Sequence, residues 1–163
     1  MDRPRAVIAG VFSRLMRTRF AHRFLLPLIP PMQMRLYSWT GGRFQLSALL
    51  MPSLVLISTG AKSGQRRETP LACWPQQDGT WLIAGSNWGQ DHHPGWTANL
   101  RRNPDAEIVL ARRHIKVSAT MLAGTEREAA WPILEAQFPG YRDYERQAGR
   151  EVRIFRLVDT STR

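Results

Sequence analysis

Two periodicities divide the chain. Near its start, Val7, Ile8, Val11, Phe12, Leu15 and Met16 recur at helical spacing, with Arg14, Arg17 and the N-terminal arginines elsewhere on the wheel. This spacing predicts an amphipathic helix over about the first twenty residues. Residues 22 to 39 suggest a second helix, broken near Pro27, Pro30 and Pro31 and stopped by Gly41-Gly42. From residue 54 the pattern shortens into strands: LVLIST (54–59), RRETPLACW (66–74), TWLIAGS (80–86), EIVLA (107–111), RHIKVSATML (113–122) and EVRIFRLV (151–158). Asp78-Gly79 marks a hairpin turn before the third of these.

Two helices interrupt the strands. One starts near Pro94, suited to the first helical position, buries Trp96 and Leu100, and stops before Asn103-Pro104. The other opens with Thr125-Glu126-Arg127-Glu128, read as a capping box, and presents Ala130, Ile133, Leu134 and Phe138 on one face. Pro139-Gly140 ends it, and Tyr141 to Gln147 add one or two further turns. Six mostly antiparallel strands with few helices predict a mainly β (α+β) fold, a small barrel with helices around it. The turns joining the first three strands cannot hold crossover helices, which disfavours a parallel, doubly wound sheet. The expected division is a basic, helical N-terminal segment (1–40) and a barrel domain (41–163).

Composition narrows this little: 163 residues, 43% hydrophobic and 22% charged, describe one globular domain. The single cysteine, Cys73, allows no internal disulfide and suits a reducing cytoplasm. The net charge of +10 changes the picture more, because Arg3, Arg5, Arg14, Arg17, Arg19 and Arg23 against Asp2 concentrate half of it in residues 1–23. Such a segment either docks on its own domain or lies on an anionic membrane surface, so peripheral attachment to the inner membrane face is an open expectation. No run of 18 apolar residues occurs, so no membrane-spanning helix is expected. Arg14 and Arg17 arrive before any adequate apolar stretch, which argues against a secretory signal. No aromatic RNA-binding motif, zinc-finger spacing or basic heptad accompanies the charge, so nucleic acid is not an expected partner.

Candidate chemistry begins at STGAKSGQRRETP (58–70). It is not a nucleotide-triphosphatase loop: Ala61 stands where a glycine must precede Lys62, and a strand rather than a helix follows. What remains is a strand–turn–strand in which Gly60 and Gly64 are free to take positive φ and successive N–H groups can face one concavity. Lys62, Ser63, Arg66 and Arg67 can add charge-assisted hydrogen bonds to an anion. A hairpin of this kind is also a common surface turn. Farther on, SNWGQDHHPGWTANLRRNP (86–104) joins a strand end, a glycine loop and a helix start, and FPGYRDYERQ (138–147) brings two tyrosines. His92 and His93 are adjacent, point apart in an extended loop and have no third partner at suitable spacing, so no metal is expected.

These three stretches, in this order and spacing, resemble the deazaflavin (F420)-dependent nitroreductases, also called F420H2-dependent quinone reductases. The resemblance covers about residue 40 to 158 and implies a split β-barrel of the flavin-mononucleotide-binding type. It implies that Lys62, Ser63, Gly64 and Arg67 contact the phosphate and acidic tail of coenzyme F420, with Thr69 and Pro70 along the cofactor edge. Ala84, Gly85, Ser86 and Asn87 would lie beside the deazaflavin ring, and Trp96 and Asn99 would line the same pocket. Trp96 also reads as a plain core residue. Phe138, Tyr141 and Tyr144 would border the substrate, with Tyr141 and Ser86 as candidate proton donors to the acceptor. Some members carry arginine at the Ala61 position and lysine at the Asn87 position, so the charge available to the tail differs here.

The resemblance implies hydride transfer from reduced F420 to a quinone, nitroaromatic or similar planar acceptor. Two alternatives stay open beside it: the same barrel using flavin mononucleotide (FMN), and an F420-binding protein without turnover.

Overall fold

The computed structural model describes residues 52–138 and 140–161. The two expected N-terminal helices, the boundary at residue 40 and Pro139 lie outside the described residues.

Among the described residues, seven strands form one antiparallel sheet: β1 (Ser53–Thr59), β2 (Arg66–Ala72), β3 (Trp74–Pro75), β4 (Trp81–Ala84), β5 (Asp105–Leu110), β6 (Arg113–Met121) and β7 (Ile154–Asp159). Their spatial order is β2-β1-β5-β6-β7-β4-β3. β2 and β3 stand at opposite ends of that order, yet Cys73 alone separates them in sequence. The sheet must therefore curl to bring its two ends near one another at this corner without pairing them, as in a half-barrel. This corner also explains why seven strands appear where six were expected. The run 66–74 reads as continuous, but Ala72 still pairs with Ser53 whereas Trp74 pairs with Leu82. Between them the Cys73 N–H turns to the Pro52 carbonyl at 2.9 Å.

Three helices complete the described fold: α1 (Gly95–Arg102), α2 (Gly124–Gln137) and α3 (Asp143–Ala148). The inner wall follows from strand register. Leu56 faces Ile108, Ala119 faces Leu157 and Ile83 faces Phe155. Trp96 and Leu100 of α1 close over the same cluster. On the opposite face of β4 and β7, Leu82 and Ile154 pack with Trp131 and Leu134 of α2 and Tyr144 of α3. β4 packs on both faces, which is why WLIA reads as an unbroken apolar run, whereas Arg156 interrupts β7 on the α2 side and reaches Glu126 at 3.0 Å. Trp131 and Leu134 are fully buried, and truncating either to alanine should cost about 2–5 kcal/mol.

α2 departs from expectation in start and phase. It begins at Gly124 behind Ala123, with no side-chain cap, so the expected capping box does not form. Glu128 instead meets Arg142 at 2.7 Å and Arg127 at 3.0 Å. The buried stripe is Arg127, Ala130, Trp131 and Leu134, while Ile133 lies one position off it and is 40% exposed.

Candidate functional site

The β1–β2 hairpin is closed by the Gly60 N–H to the Gln65 carbonyl and the Gly64 N–H to the Gly60 carbonyl, both at 2.8 Å. Gly64 has φ +67°, a left-handed conformation that a side chain would strain, and nothing lies within 4 Å of where its Cβ would stand. Among the described residues, no group accepts a hydrogen bond from the Lys62 or Ser63 backbone N–H. Both side chains are exposed at the tip. Among the described residues, the tip therefore presents unpartnered backbone donors together with a hydroxyl and an ammonium.

Directly opposed residues of an antiparallel pair share a face. Arg67 opposes Ser58 and Thr69 opposes Leu56, so both lie on the face toward α1. Arg66, Glu68 and Pro70 lie on the other face, where Arg66 meets Glu68 at 3.6 Å. Arg67 reaches Gln65 Oε1 at 3.1 Å and is exposed. The two arginines are thus not equivalent, and only Arg67 faces α1.

α1 ties the loop to the end of β4. Asn99 Oδ1 accepts from the Ala61 N–H at 2.9 Å, and Asn99 Nδ2 donates to Ser58 Oγ at 3.1 Å. Ser58 is 3% exposed, so its hydroxyl needs this partner. Two residues earlier on α1, Thr97 is fully buried and packs on Gly85. A Cβ on Gly85 would stand 2.7 Å from Thr97 Cγ2, which is closer than any side chain can sit. Glycine is required there by this approach.

Beyond Gly85 the chain enters a strained loop. Asn87, Trp88 and Gly89 take φ of 50°, 55° and 75° in succession. For a bulky residue such as Trp88 a left-handed conformation costs about 1–3 kcal/mol and persists only where its surroundings over-determine it. Asn87 Nδ2 is turned inward, donating to Gln90 Oε1 at 3.0 Å and the His92 carbonyl at 3.1 Å. Arg150 holds the other side: Nε donates to the Gln90 carbonyl at 3.0 Å and Nη2 to the Ser86 carbonyl at 3.0 Å.

Ser86 Oγ accepts from the Tyr141 hydroxyl at 2.9 Å. Tyr141 is 7% exposed, and burial pushes its phenol well above the ordinary tyrosine value, with the Ser86 hydrogen bond only partly opposing this. Its ring meets Trp74 edge-on at 5.3 Å, Tyr144 at 5.3 Å and Phe138 at 5.8 Å. Burial likewise pushes Tyr144 up to about 12. Both phenols keep their protons at neutral pH.

The family model described as F420H(2)-dependent quinone reductase matches residues 31–159. The chain belongs to this family. F420H(2)-dependent quinone reductases of Mycobacterium tuberculosis strains H37Rv and CDC 1551 are each 33% identical to it over 110 residues, covering 66% of this chain and 73% of theirs. A solved F420-H2 dependent reductase is similar at a TM-score of 0.59 and 29% identity, over 66% of this chain and 94% of that one. A structure described as a domain-swapped dimer gives a TM-score of 0.60 at 26% identity, over 81% and 98%. Membership makes this reductase an F420H2-dependent oxidoreductase on a curled, mainly β half-barrel, with coenzyme F420 as its cofactor.

The residues present fit that group. F420 carries a phosphate and an acidic tail, and the hairpin offers N–H donors that no described residue occupies, Lys62, Ser63 Oγ and the α1-facing Arg67. Other expected site residues fall into distinct settings. Ser86 and Tyr141 are in direct contact, and Phe138 and Tyr144 join them in one aromatic cluster. Ala84 ends β4 half-buried against the same cluster. Asn99 sits under the hairpin, its amide engaged by the loop. Trp96 is 5% exposed, with its ring 5.5 Å from Phe155 in the inner core. Asn87 is committed to its own loop, and Pro70 faces away from Thr69. Sequence reading missed Arg150, which no local motif marks, and its long-range contacts reach 57 to 65 residues away.

Proposed function

We propose that this reductase passes hydride from reduced F420 to a planar acceptor of the quinone or nitroaromatic type. When bound, the reduced deazaflavin supplies the hydride. The hairpin would grip its anionic end through Lys62, Ser63 and Arg67, with Gly64 supplying the left-handed bend that sets them, its own N–H being held by the Gly60 carbonyl, and with Thr69 and Pro70 along the cofactor edge. Ala84, Gly85, Ser86 and Asn87 would border its ring, while Trp96 and Asn99 hold α1 in place beneath. Phe138, Tyr141 and Tyr144 would border the acceptor.

The Ser86–Tyr141 pair carries this reading. Tyr141 is buried, keeps its proton and donates to Ser86 Oγ, so the half-buried Ser86 keeps its own O–H free to donate elsewhere. As negative charge develops on the acceptor's oxygen, Ser86 would donate to it, with Tyr141 replenishing the hydroxyl from behind. Residues 41–163 form the cofactor-binding unit in this proposal. The arginines of residues 1–23 support a further reading, attachment of the N-terminal segment to an anionic membrane surface that holds a lipid-soluble quinone.

The experiment is a titration of reduced F420, and separately of FMN, into purified protein, followed by menadione. Expected are saturable F420 binding, oxidation of the reduced cofactor on adding menadione, and no comparable FMN binding. Binding without oxidation by any acceptor would replace the enzyme with a carrier. Lys62→Ala should weaken F420 binding by about 1.5–3 kcal/mol, roughly 10- to 150-fold. Arg14→Gln/Arg17→Gln/Arg19→Gln should lower sedimentation with anionic vesicles, and unchanged sedimentation would remove the membrane reading.

A further inference from the structure

Arg150 lies between α3 and β7, 64 residues from Ser86, yet its contacts converge on the strained loop. Besides Gln90 and Ser86, its guanidinium reaches the Gly85 carbonyl from Nη1 and Nη2 at 3.4 Å and the Glu151 carbonyl from Nη1 at 3.2 Å. Nη1 also meets His93 Nδ1 at 3.1 Å. A guanidinium has five N–H donors and no acceptor, so His93 Nδ1 must offer a lone pair here and the imidazole is neutral. All these partners are neutral. Among the described residues, no carboxylate lies within ion-pair distance of Arg150. An arginine placed so that its planar fork caps the carbonyls at both ends of a loop fixes geometry rather than balancing charge.

What it fixes is specific. Gly85 and Ser86 lie before the three left-handed residues and Gln90 after them, so Arg150 clasps the loop across its strain. The Ser86 carbonyl is held by Arg150 while Ser86 Oγ is held by Tyr141. With main chain and side chain each anchored, the hydroxyl has one position. We infer that Arg150 is a positioning residue for the reaction, clasping residues 85–90 so that Ser86 Oγ is set against Tyr141 and toward the acceptor. The inference rests on the proposed function for its catalytic half. Lysine cannot replace it, because a single ammonium cannot span the Gln90 and Ser86 carbonyls in one plane.

Two arms test this. In the first, hydrogen–deuterium exchange of the whole protein without cofactor should be faster at amides 85–90 in Arg150→Lys and Arg150→Gln, with β1 and β6 unchanged. Unaltered exchange at 85–90 overturns the clasp. In the second, F420H2 oxidation by menadione is measured for Arg150→Lys, Ser86→Ala and the double variant. Arg150→Lys should lower kcat by about 10²-fold with little change in KM for the reduced cofactor, since it misplaces a group without removing cofactor contacts. Because Arg150 acts through Ser86, the double variant should be no worse than Ser86→Ala alone. Multiplying losses overturn the positioning role even if the exchange arm succeeds. A wild-type protein that oxidises no F420H2 refutes the proposed function instead, leaving the exchange arm to decide the clasp.

Discussion

Replacing Asn99 by alanine removes two hydrogen bonds at once, the one that holds the Ala61 N–H and the one that satisfies the buried Ser58 hydroxyl. Each is worth about 1 kcal/mol net, so the variant should be less stable by about 2 kcal/mol. For a chain of this length that is a fall of roughly 4–8 °C in Tm. The loop that loses its anchor carries the proposed anion contacts, so F420 must then order it on binding, and affinity should fall by up to about 30-fold. Asn99→Asp separates the two effects. A carboxylate can accept from both Ala61 N–H and Ser58 O–H, so Tm should stay near the wild-type value. Its charge beneath the cradle should nevertheless weaken binding of an anionic ligand, more so at low ionic strength. The assays are differential scanning calorimetry and fluorescence titration with F420. If Asn99→Ala loses stability but binds F420 within about twofold of wild type, the hairpin is not what α1 positions for the cofactor.

Further outcomes follow from the same geometry. Ser86→Ala should lower kcat by about 10²-fold or more, as for loss of one donor to a developing oxyanion, whereas Tyr141→Phe should cost only about fivefold by removing the support behind it; the reverse order in steady-state kinetics would exchange the two roles. Gly85→Ala drives a methyl into Thr97 and should destabilise by about 1–3 kcal/mol in chemical denaturation, with Thr97→Ser in the same chain recovering part of the loss because Cγ2 is the clashing atom. His93 titrates below its ordinary value of 6.5, first through burial and then through Arg153, Arg150 and Arg101. A lowered histidine value means the folded state prefers the neutral ring, so this contribution is present above about 6.5 and is lost as pH falls through the lower folded value. Asp91 is the acid on the same loop, and Arg101 faces the ring from α1. His93→Gln, which keeps an acceptor, should show a shallower fall in Tm between about pH 7 and about pH 5 than wild type.

Much of the architecture was legible because local and global preferences agree. The LVLIST run, the Asp78-Gly79 turn and the Pro94 and Pro104 punctuation place β1, β4 and α1 to within a residue or two. The split at Cys73 was not legible, since the apolar run passes through it and only the need to close the sheet breaks the pairing. The phase of α2 was misread for a related reason. Ile133 is the more hydrophobic choice, but Trp131 and the aliphatic stem of Arg127 fit the groove, with the guanidinium 5.4 Å over the Trp131 ring. At the site, glycine spacing marked the β1–β2 hairpin itself. The supports of that site stayed hidden because they are long-range: Asn99 reaches back 38 residues and Arg150 more than 60. No periodicity records a hydrogen bond across such separations.

β7 stands between β6 and β4, and every strand it joins precedes it in sequence. Without it no strand pairing links the two remaining ribbons, β2-β1-β5-β6 and β4-β3, which only the corner at Cys73 joins. Assembly is therefore dominated by pairings distant along the chain, which makes for slow folding and leaves the flanks of β6 and β4 unpaired until late. A nascent or C-terminally clipped polypeptide would display two raw edges for intermolecular pairing. Chaperone dependence and inclusion-body formation during overexpression should track the integrity of this one segment far more closely than changes elsewhere on the barrel.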